Sequence, residues 1–207
     1  GSTSAAGSKS AAGSKSAAGK NGATIVITHG FSGNRLSGAN VARSLSQAGF
    51  GVLLYDLRGH GHSQAELSTW GWAEINDLLG AVDYLRSRPD VDAGRIGALG
   101  YSLGGQVTLR AAAQERWIQA VAVEGPTFAA LSDHIVSSGF SLRKLVFYPW
   151  LWLSYNFQVL LTGVRQPVGV VQEVPKIAPR PLLLIAAGRG EEYLIASRLF
   201  DVAGEPK

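Results

Sequence analysis

A serine between two glycines is the clearest candidate for chemistry in the sequence. The residues from Gly100 to Gly104 read GYSLG, which fits the pattern G-x-S-x-G with Ser102 at its centre. The pattern follows the apolar run RIGAL and opens a segment with helical spacing, as a nucleophile on a sharp strand-to-helix turn requires. The flanking glycines let neighbouring backbone pass closely, and the N–H groups at the start of the helix favour developing negative charge. We therefore predict that Ser102 is a catalytic nucleophile.

The elements that must position this serine alternate along the chain. Strands are predicted at Ala23–Thr28, Gly51–Tyr55, Arg95–Leu99, Ala120–Val123 and Pro181–Ala186. Helices are predicted at Leu36–Ala48, Trp72–Arg86, Leu103–Gln114 and Glu192–Ala203. Strands that are apolar throughout and alternate with helices indicate an α/β fold, with a mostly parallel sheet flanked by helices on both faces.

A long segment between the fourth and fifth strands interrupts this alternation. Its length of about fifty residues is too great for a plain crossover helix. We predict an inserted helical cap at 127–176, beside a core made of 21–126 and 177–207. Within it, Leu145–Val164 carries no charge, but its polar residues and its place between two strands disfavour a membrane span. A cap helix over the site is expected, and a lid that touches a membrane surface stays open as an alternative.

Composition and charge exclude several classes of protein. The repeated sequence SAAGSK in residues 1–20 predicts a flexible tail. Its Lys9, Lys15 and Lys20 account for most of the formal net charge of the chain, which falls from +4 to +1 without them. No basic face therefore argues for nucleic acid. The chain has no cysteine, which excludes thiolate catalysis and cysteine–metal sites, and no other metal or cofactor motif is found. No secretory signal is visible, so the compartment stays open, with the cytoplasm as the default.

Four segments together resemble the α/β-hydrolase family, in particular bacterial esterases and serine-aminopeptidase-like enzymes. They are HGFSGN from His29, DLRGHGHS from Asp56, GYSLGG from Gly100 and PLLLIAAGRGEE from Pro181. They occur in the family's order and at its spacings, over roughly residues 21–207. The resemblance implies an α/β-hydrolase fold and acyl transfer at Ser102, without a cofactor or metal.

The resemblance also implies roles for residues outside the serine motif. The backbone N–H groups of Phe31 and Leu103 would form the oxyanion hole. Glu191 lies three residues after Gly188, the glycine that ends the fifth strand, and would be the acid of the catalytic triad. Glu192 is the alternative acid, because a shift of one residue is easy in a loop.

Aromatic residues are candidates for the substrate site. Tyr101 directly precedes the nucleophile, and Trp150 and Trp152 lie in the uncharged stretch of the insertion. On a cap helix the two tryptophans would line an apolar acyl pocket, although aromatic residues equally suit packing against the core. The expected substrate is a small-molecule ester or amide.

The histidine of the triad is not found where the family places it. The triad runs in the chain order serine, acid, histidine, and no histidine follows Glu192. The first three of the four histidines, His29, His60 and His62, lie in loops where a structural role is expected, and His134 lies in the insertion and is a poor substitute. The resemblance therefore implies a chain that is incomplete at both ends.

Three hypotheses about function follow from these residues. The first is a serine hydrolase that cleaves carboxylic esters through an acyl-enzyme at Ser102. The second is a peptidase or amidase of the same fold, because these residues do not separate ester from amide chemistry. The third is a catalytically inactive fragment or interaction module, which the missing histidine motivates. The acyl group and the oligomeric state stay open.

Overall fold

The computed structural model describes residues 19–20, 22–64, 67–136 and 144–207. The strands are β1 (Thr24–Thr28), β2 (Gly51–Leu54), β3 (Ile96–Tyr101), β4 (Ile118–Glu124) and β5 (Leu182–Ile185). The helices are α1 (Ala39–Gln47), α2 (Ile75–Arg86), α3 (Leu103–Gln114), α4 (Leu131–Val136), α5 (Lys144–Thr162), α6 (Val170–Glu173) and α7 (Gly190–Val202). The tail predicted at 1–20 lies outside the described residues, apart from 19 and 20.

The five strands form one parallel sheet in the order β2-β1-β3-β4-β5. This confirms the predicted α/β class. The carboxyl ends of parallel strands meet at the same edge of a sheet. The loops that follow β1, β3, β4 and β5 therefore converge, and β3 delivers Ser102 to the middle of that edge.

One face of the sheet carries the main apolar core. Val26, Ala98 and Val121 point to this face from three adjacent strands and are almost fully buried. Their cover includes Leu78 of α2 and Val107 of α3, which have no exposed surface. Removing this apolar layer from water is the main force that fixes α3 against the sheet, and with it the first residues after Ser102.

The opposite face of the sheet is more open. Among the described residues it is bordered by α1, and a groove of about 520 Å³ runs between this helix and β5. Its apolar lining includes Ile25, Val41, Leu45, Leu99, Ala122 and Leu183. None of the predicted site residues lines this groove.

The insertion between β4 and β5 contains α4, α5 and α6, and one buried carboxylate ties its two ends together. Asp133 on α4 accepts the backbone N–H groups of Ala129 and Ala130, and also those of Val170 and Val171 on α6. Four such bonds satisfy a carboxylate that is 1% exposed. No helix in the described part of the chain is both long and apolar enough to cross a membrane.

Candidate active site

The turn that carries Ser102 has the backbone of a strained elbow. Ser102 lies between β3 and α3 with φ 50° and ψ −116°, a backbone conformation that residues other than glycine rarely adopt. A Cβ on Gly104 would collide with the carbonyl oxygens of Thr28 and His29, and a Cβ on Gly100 would collide with the carbonyl oxygen of Gly104. The close approach of β1 to the first turn of α3 therefore requires glycine at 104, and the close approach of that same turn to the end of β3 requires glycine at 100. Both glycines flank the serine, as the motif predicts.

Strand β4 and the loop after β1 both contact Ser102. The Ser102 N–H donates to the Glu124 carbonyl at 2.8 Å, which fixes the backbone of the elbow against β4. A Cβ on Gly30 would lie 3.3 Å from the Ser102 Cβ, so the loop after β1 passes close to this serine. The predicted oxyanion donors are the N–H groups of Phe31, which follows Gly30, and of Leu103, which follows Ser102. Neither donates to another group within the described ranges, and their role stays a prediction.

His29 is a buried structural histidine with both ring nitrogens in use. Its Nδ1 donates to the Gly30 carbonyl at 2.7 Å, and its Nε2 accepts the Leu57 N–H at 3.1 Å. A carbonyl can only accept and an N–H can only donate, so the ring is neutral with its proton on Nδ1. Burial lowers the pKa of His29, although the bond to Gly30 opposes this. The ring holds the loop and is not free to act as a base.

The loop after β2 is fixed by the Asp56 carboxylate. It accepts the backbone N–H groups of Arg35 and His62, and pairs with the Arg35 guanidinium at 2.7 Å. Burial alone would raise the pKa of Asp56, but these bonds and the positive charge outweigh it and lower the pKa. His60 donates from Nδ1 to the Arg58 carbonyl, and its ring packs edge-on against Phe31. This loop therefore supports Phe31, the residue predicted to carry one oxyanion donor.

Trp70 packs against the candidate site and is not among the residues that the sequence predicts there. Its ring stacks on Phe31 with centroids 5.2 Å apart and planes 12° apart. Helix α3 holds its loop in place, because Gln106 donates to the Trp70 carbonyl at 2.8 Å and Arg110 donates to the Gly71 carbonyl at 2.9 Å. The only sequence signal is the pair Trp70-Gly71, which suggests a turn. The contact with Phe31 spans loops far apart in the chain and appears only in the fold.

Backbone strain is concentrated at Ser102 and next to Phe31. Among the residues that the structure describes, three other than glycine have positive φ: Ser32 at 59°, Trp70 at 57° and Ser102 at 50°. Ser32 follows Phe31 in the chain, and the Trp70 ring packs on the Phe31 ring. Such residues persist only where the surrounding structure fixes them, and they cluster at functional sites.

The two candidate acids lie together at the start of α7. Glu192 accepts the Ala187 N–H at 2.9 Å, and a Cβ on Gly125 would lie 3.1 Å from the same carboxylate oxygen. Glu191 is exposed. Burial lowers the pKa of His134, and the negative charge of Glu191 partly opposes this shift. Both acids therefore lie at the edge of the sheet that carries Ser102, and the choice between them stays open.

The predicted substrate residues have different surroundings. Tyr101 is the last residue of β3 and is half-buried, and burial together with the charge of Glu124 raises its pKa. Trp150 and Trp152 on α5 are both more than half exposed. The substrate-binding role of these three residues stays a prediction.

Known proteins place this arrangement in a family. A family model described as the alpha/beta hydrolase fold matches residues 23–159. An uncharacterized protein of Mycobacterium tuberculosis is 31% identical over 189 residues, which cover 90% of this chain and 60% of that protein. An uncharacterized protein of Bacillus subtilis is 27% identical over 192 residues, which cover 89% and 61%. The chain thus spans about 60% of the length of the curated relatives that it matches.

Solved structures agree with the family model. An esterase of Pyrococcus furiosus is 25% identical with a TM-score of 0.60, over 87% of this chain and 69% of the esterase. A hypothetical protein from Pseudomonas aeruginosa has a TM-score of 0.65 at 19% identity, over 96% of this chain and 76% of that protein, a likeness that concerns the fold alone. This chain belongs to the family with the alpha/beta hydrolase fold.

Proposed function

We propose that this protein is a serine hydrolase that cleaves carboxylic esters through an acyl-enzyme at Ser102. The observation that carries the proposal is the strained turn at Ser102, which Gly30 approaches closely. The N–H groups of Phe31 and Leu103, which follow Gly30 and Ser102 in the chain, are the proposed oxyanion donors. The Ser102 Oγ attacks the ester carbonyl carbon, and the two N–H groups stabilise the resulting oxyanion. The alcohol then leaves with the proton taken from Ser102, and water hydrolyses the acyl-enzyme.

The general base in this proposal is a histidine of a longer form of the protein. The family order places it after the acid, and the relatives are longer than this chain. His29 is unsuited to the role, because both its ring nitrogens already have partners. Glu191 would orient the histidine and stabilise its charged form. Glu192 is the alternative, since its bond to the Ala187 N–H serves equally to fix the loop or to hold a catalytic acid.

The stacked rings of Phe31 and Trp70 favour a substrate with an apolar acyl group. The two rings form a rigid apolar wall directly beyond the first oxyanion donor. Rigid aromatic rings bind apolar groups at a low cost in conformational entropy. The likeness to the esterase of Pyrococcus furiosus favours an ester as the cleaved bond.

Ester hydrolysis by short and long forms of the protein tests the proposal. We would compare initial rates with p-nitrophenyl butyrate for residues 1–207 and for a version extended to the length of the relatives, each with and without Glu191→Gln. Loss of the base lowers turnover by roughly 10⁴ to 10⁶ in a serine triad, so residues 1–207 should react near background. The extended version should be active, and Glu191→Gln should then be severe. Glu192→Gln is the matched control for the choice of acid.

Three results would contradict the assignments of the nucleophile, the base and the acid in turn. Activity of the extended version that survives Ser102→Ala would exclude Ser102 as the nucleophile. Brisk, Ser102-dependent hydrolysis by residues 1–207 would mean that a group such as His134 supplies the base. A larger loss for Glu192→Gln than for Glu191→Gln would reassign the acid. An aminoacyl p-nitroanilide in the same assay tests the peptidase alternative.

A further inference from the structure

Helix α5 presents a continuous apolar stripe to solvent. Its members follow one another at alternating steps of four and three residues, which places them on one side of a helix. They are Val146, Trp150, Leu153, Phe157 and Leu160. All five are more than half exposed, and Leu160 reaches 79%. The stripe is about 21 Å long at 1.5 Å per residue, and Trp152 and Leu161 widen it.

The opposite side of α5 is fixed to the rest of the molecule. Gln158 donates to the Thr69 carbonyl at 2.6 Å, the Tyr155 ring packs edge-on against Trp72, and Leu151 is buried. These residues are spaced for the other side of the helix. The apolar stripe therefore cannot turn inward without breaking the contacts that hold α5 to the loop of Trp70.

The charges around α5 select one kind of partner. No aspartate or glutamate occurs between Asp133 and Glu173, and the charged residues in that interval are Arg143, Lys144 and Arg165. Lys144 is the first residue of the helix and Arg165 follows its end at Thr162, so the sequence places a basic residue at each end of α5. Two copies of α5 packed together, parallel or antiparallel, would place cations against cations. An anionic surface accepts both ends at once.

We propose that the outer side of α5 docks on the surface of an anionic phospholipid bilayer. Aromatic and aliphatic side chains of an interfacial helix enter the boundary between headgroups and acyl chains, and nearby cations bind the headgroups. The fixed inner side keeps the rest of the molecule at the surface, with the loop of Trp70 next to it. The proposal assigns Trp150 and Trp152 to the lipid interface in place of the substrate-binding role predicted above. It does not depend on the proposed hydrolase activity.

Vesicle flotation with matched leucine variants tests this proposal. The probe is a vesicle of phosphatidylcholine with about 30% phosphatidylglycerol, compared with pure phosphatidylcholine. The test variant is Leu153→Ser/Leu160→Ser, and the control is Leu36→Ser/Leu194→Ser; the four leucines are 60%, 79%, 69% and 61% exposed. Each pair removes two leucines of similar exposure, so only their position differs. Thermal unfolding verifies that both variants are folded.

The wild-type chain and the control should float with the anionic vesicles, and the test variant should lose about tenfold in bound fraction. About 0.5 M salt should weaken binding, because it screens the cations from the headgroups. Brominated lipid should quench tryptophan fluorescence in the wild-type chain and much less in Trp150→Phe/Trp152→Phe. Equal loss in both leucine variants, or no flotation of the wild-type chain, would overturn the proposal. A dimer in light scattering that the test variant alone dissociates would also overturn it and assign the stripe to a second copy.

Discussion

The close approach between β1 and the first turn of α3 can be tested with one substitution made at two glycines. Gly104 is the second residue of α3, two positions after Ser102, and a Cβ there would collide with the carbonyl oxygens of Thr28 and His29. Gly80 lies in the interior of α2, is exposed, and has nothing within 4 Å of its added Cβ. Each variant replaces a helical glycine with alanine, so the intrinsic gain in helix propensity is similar and the surroundings decide the result.

The two variants should change stability in opposite directions. Gly80→Ala should raise the free energy of unfolding by about 0.5 to 1 kcal/mol, which is the usual benefit of alanine over glycine inside a helix. Gly104→Ala should lower it by about 1 to 3 kcal/mol, since the obstacle is backbone that moves only if β1 and α3 separate. The separation would also displace the loop that carries the Phe31 N–H, so labelling of Ser102 by a fluorophosphonate should slow.

Urea unfolding followed by tryptophan fluorescence measures this difference. The midpoints of the two variants should fall on opposite sides of the wild-type midpoint, with unchanged slopes and a total difference in the free energy of unfolding of about 1.5 to 4 kcal/mol. A Gly104→Ala protein as stable as Gly80→Ala would refute the close approach, and with it the geometry assigned to the oxyanion hole.

Two further predictions concern the ion pairs that support the site. Glu173→Ala should lower the free energy of unfolding by about 3 to 5 kcal/mol, because it leaves the Arg110 guanidinium buried without the carboxylate that it contacts at 3.0 Å. Asp83→Ala, which removes the exposed pair with Arg86, should cost less than about 1 kcal/mol, and equal costs in urea unfolding would contradict the burial argument. Asp56 has a pKa below its ordinary 3.8 in the folded protein. Its carboxylate therefore stabilises the folded protein fully at pH values above 3.8, and this contribution is lost as the pH falls through the lower pKa of the folded state. The stability difference between the wild-type chain and Asp56→Asn should therefore shrink as the pH falls from about 6 to 3, and a constant difference in unfolding measurements at each pH would show that Asp56 does not titrate in this way.

Local patterns predicted the elements better than the turns between them. Helix α3 has the predicted bounds, Leu103–Gln114, because glycine spacing at its start and apolar residues along its length agree. Helix α2 begins at Ile75, three residues later than predicted. The Glu74 carboxylate accepts the N–H groups of Thr69 and Gly71 and so holds the preceding residues in a turn, which helical spacing does not reveal.

The candidate site was predictable where one segment carries its own geometry. The elbow at Ser102 needs only its glycines, its strand and its helix, and all of these are adjacent in the sequence. The stack of Trp70 on Phe31 depends on Gln106 and Arg110 of α3 holding a loop that lies far away in the chain. The outward stripe of α5 was also hidden, since apolar spacing alone does not say which side of a helix meets the core.

Covalent labelling of the protein with a fluorophosphonate tests whether Ser102 is the nucleophile. The protein, extended to the length of its relatives, would be treated with a fluorophosphonate and digested, and the modified peptide would be identified by mass. We expect modification of the segment that contains Ser102, with no labelling in Ser102→Ala and only weak labelling of residues 1–207, in which no histidine is proposed as the base. Modification at a different residue, or undiminished labelling of Ser102→Ala, would contradict the assignment of Ser102 as the nucleophile.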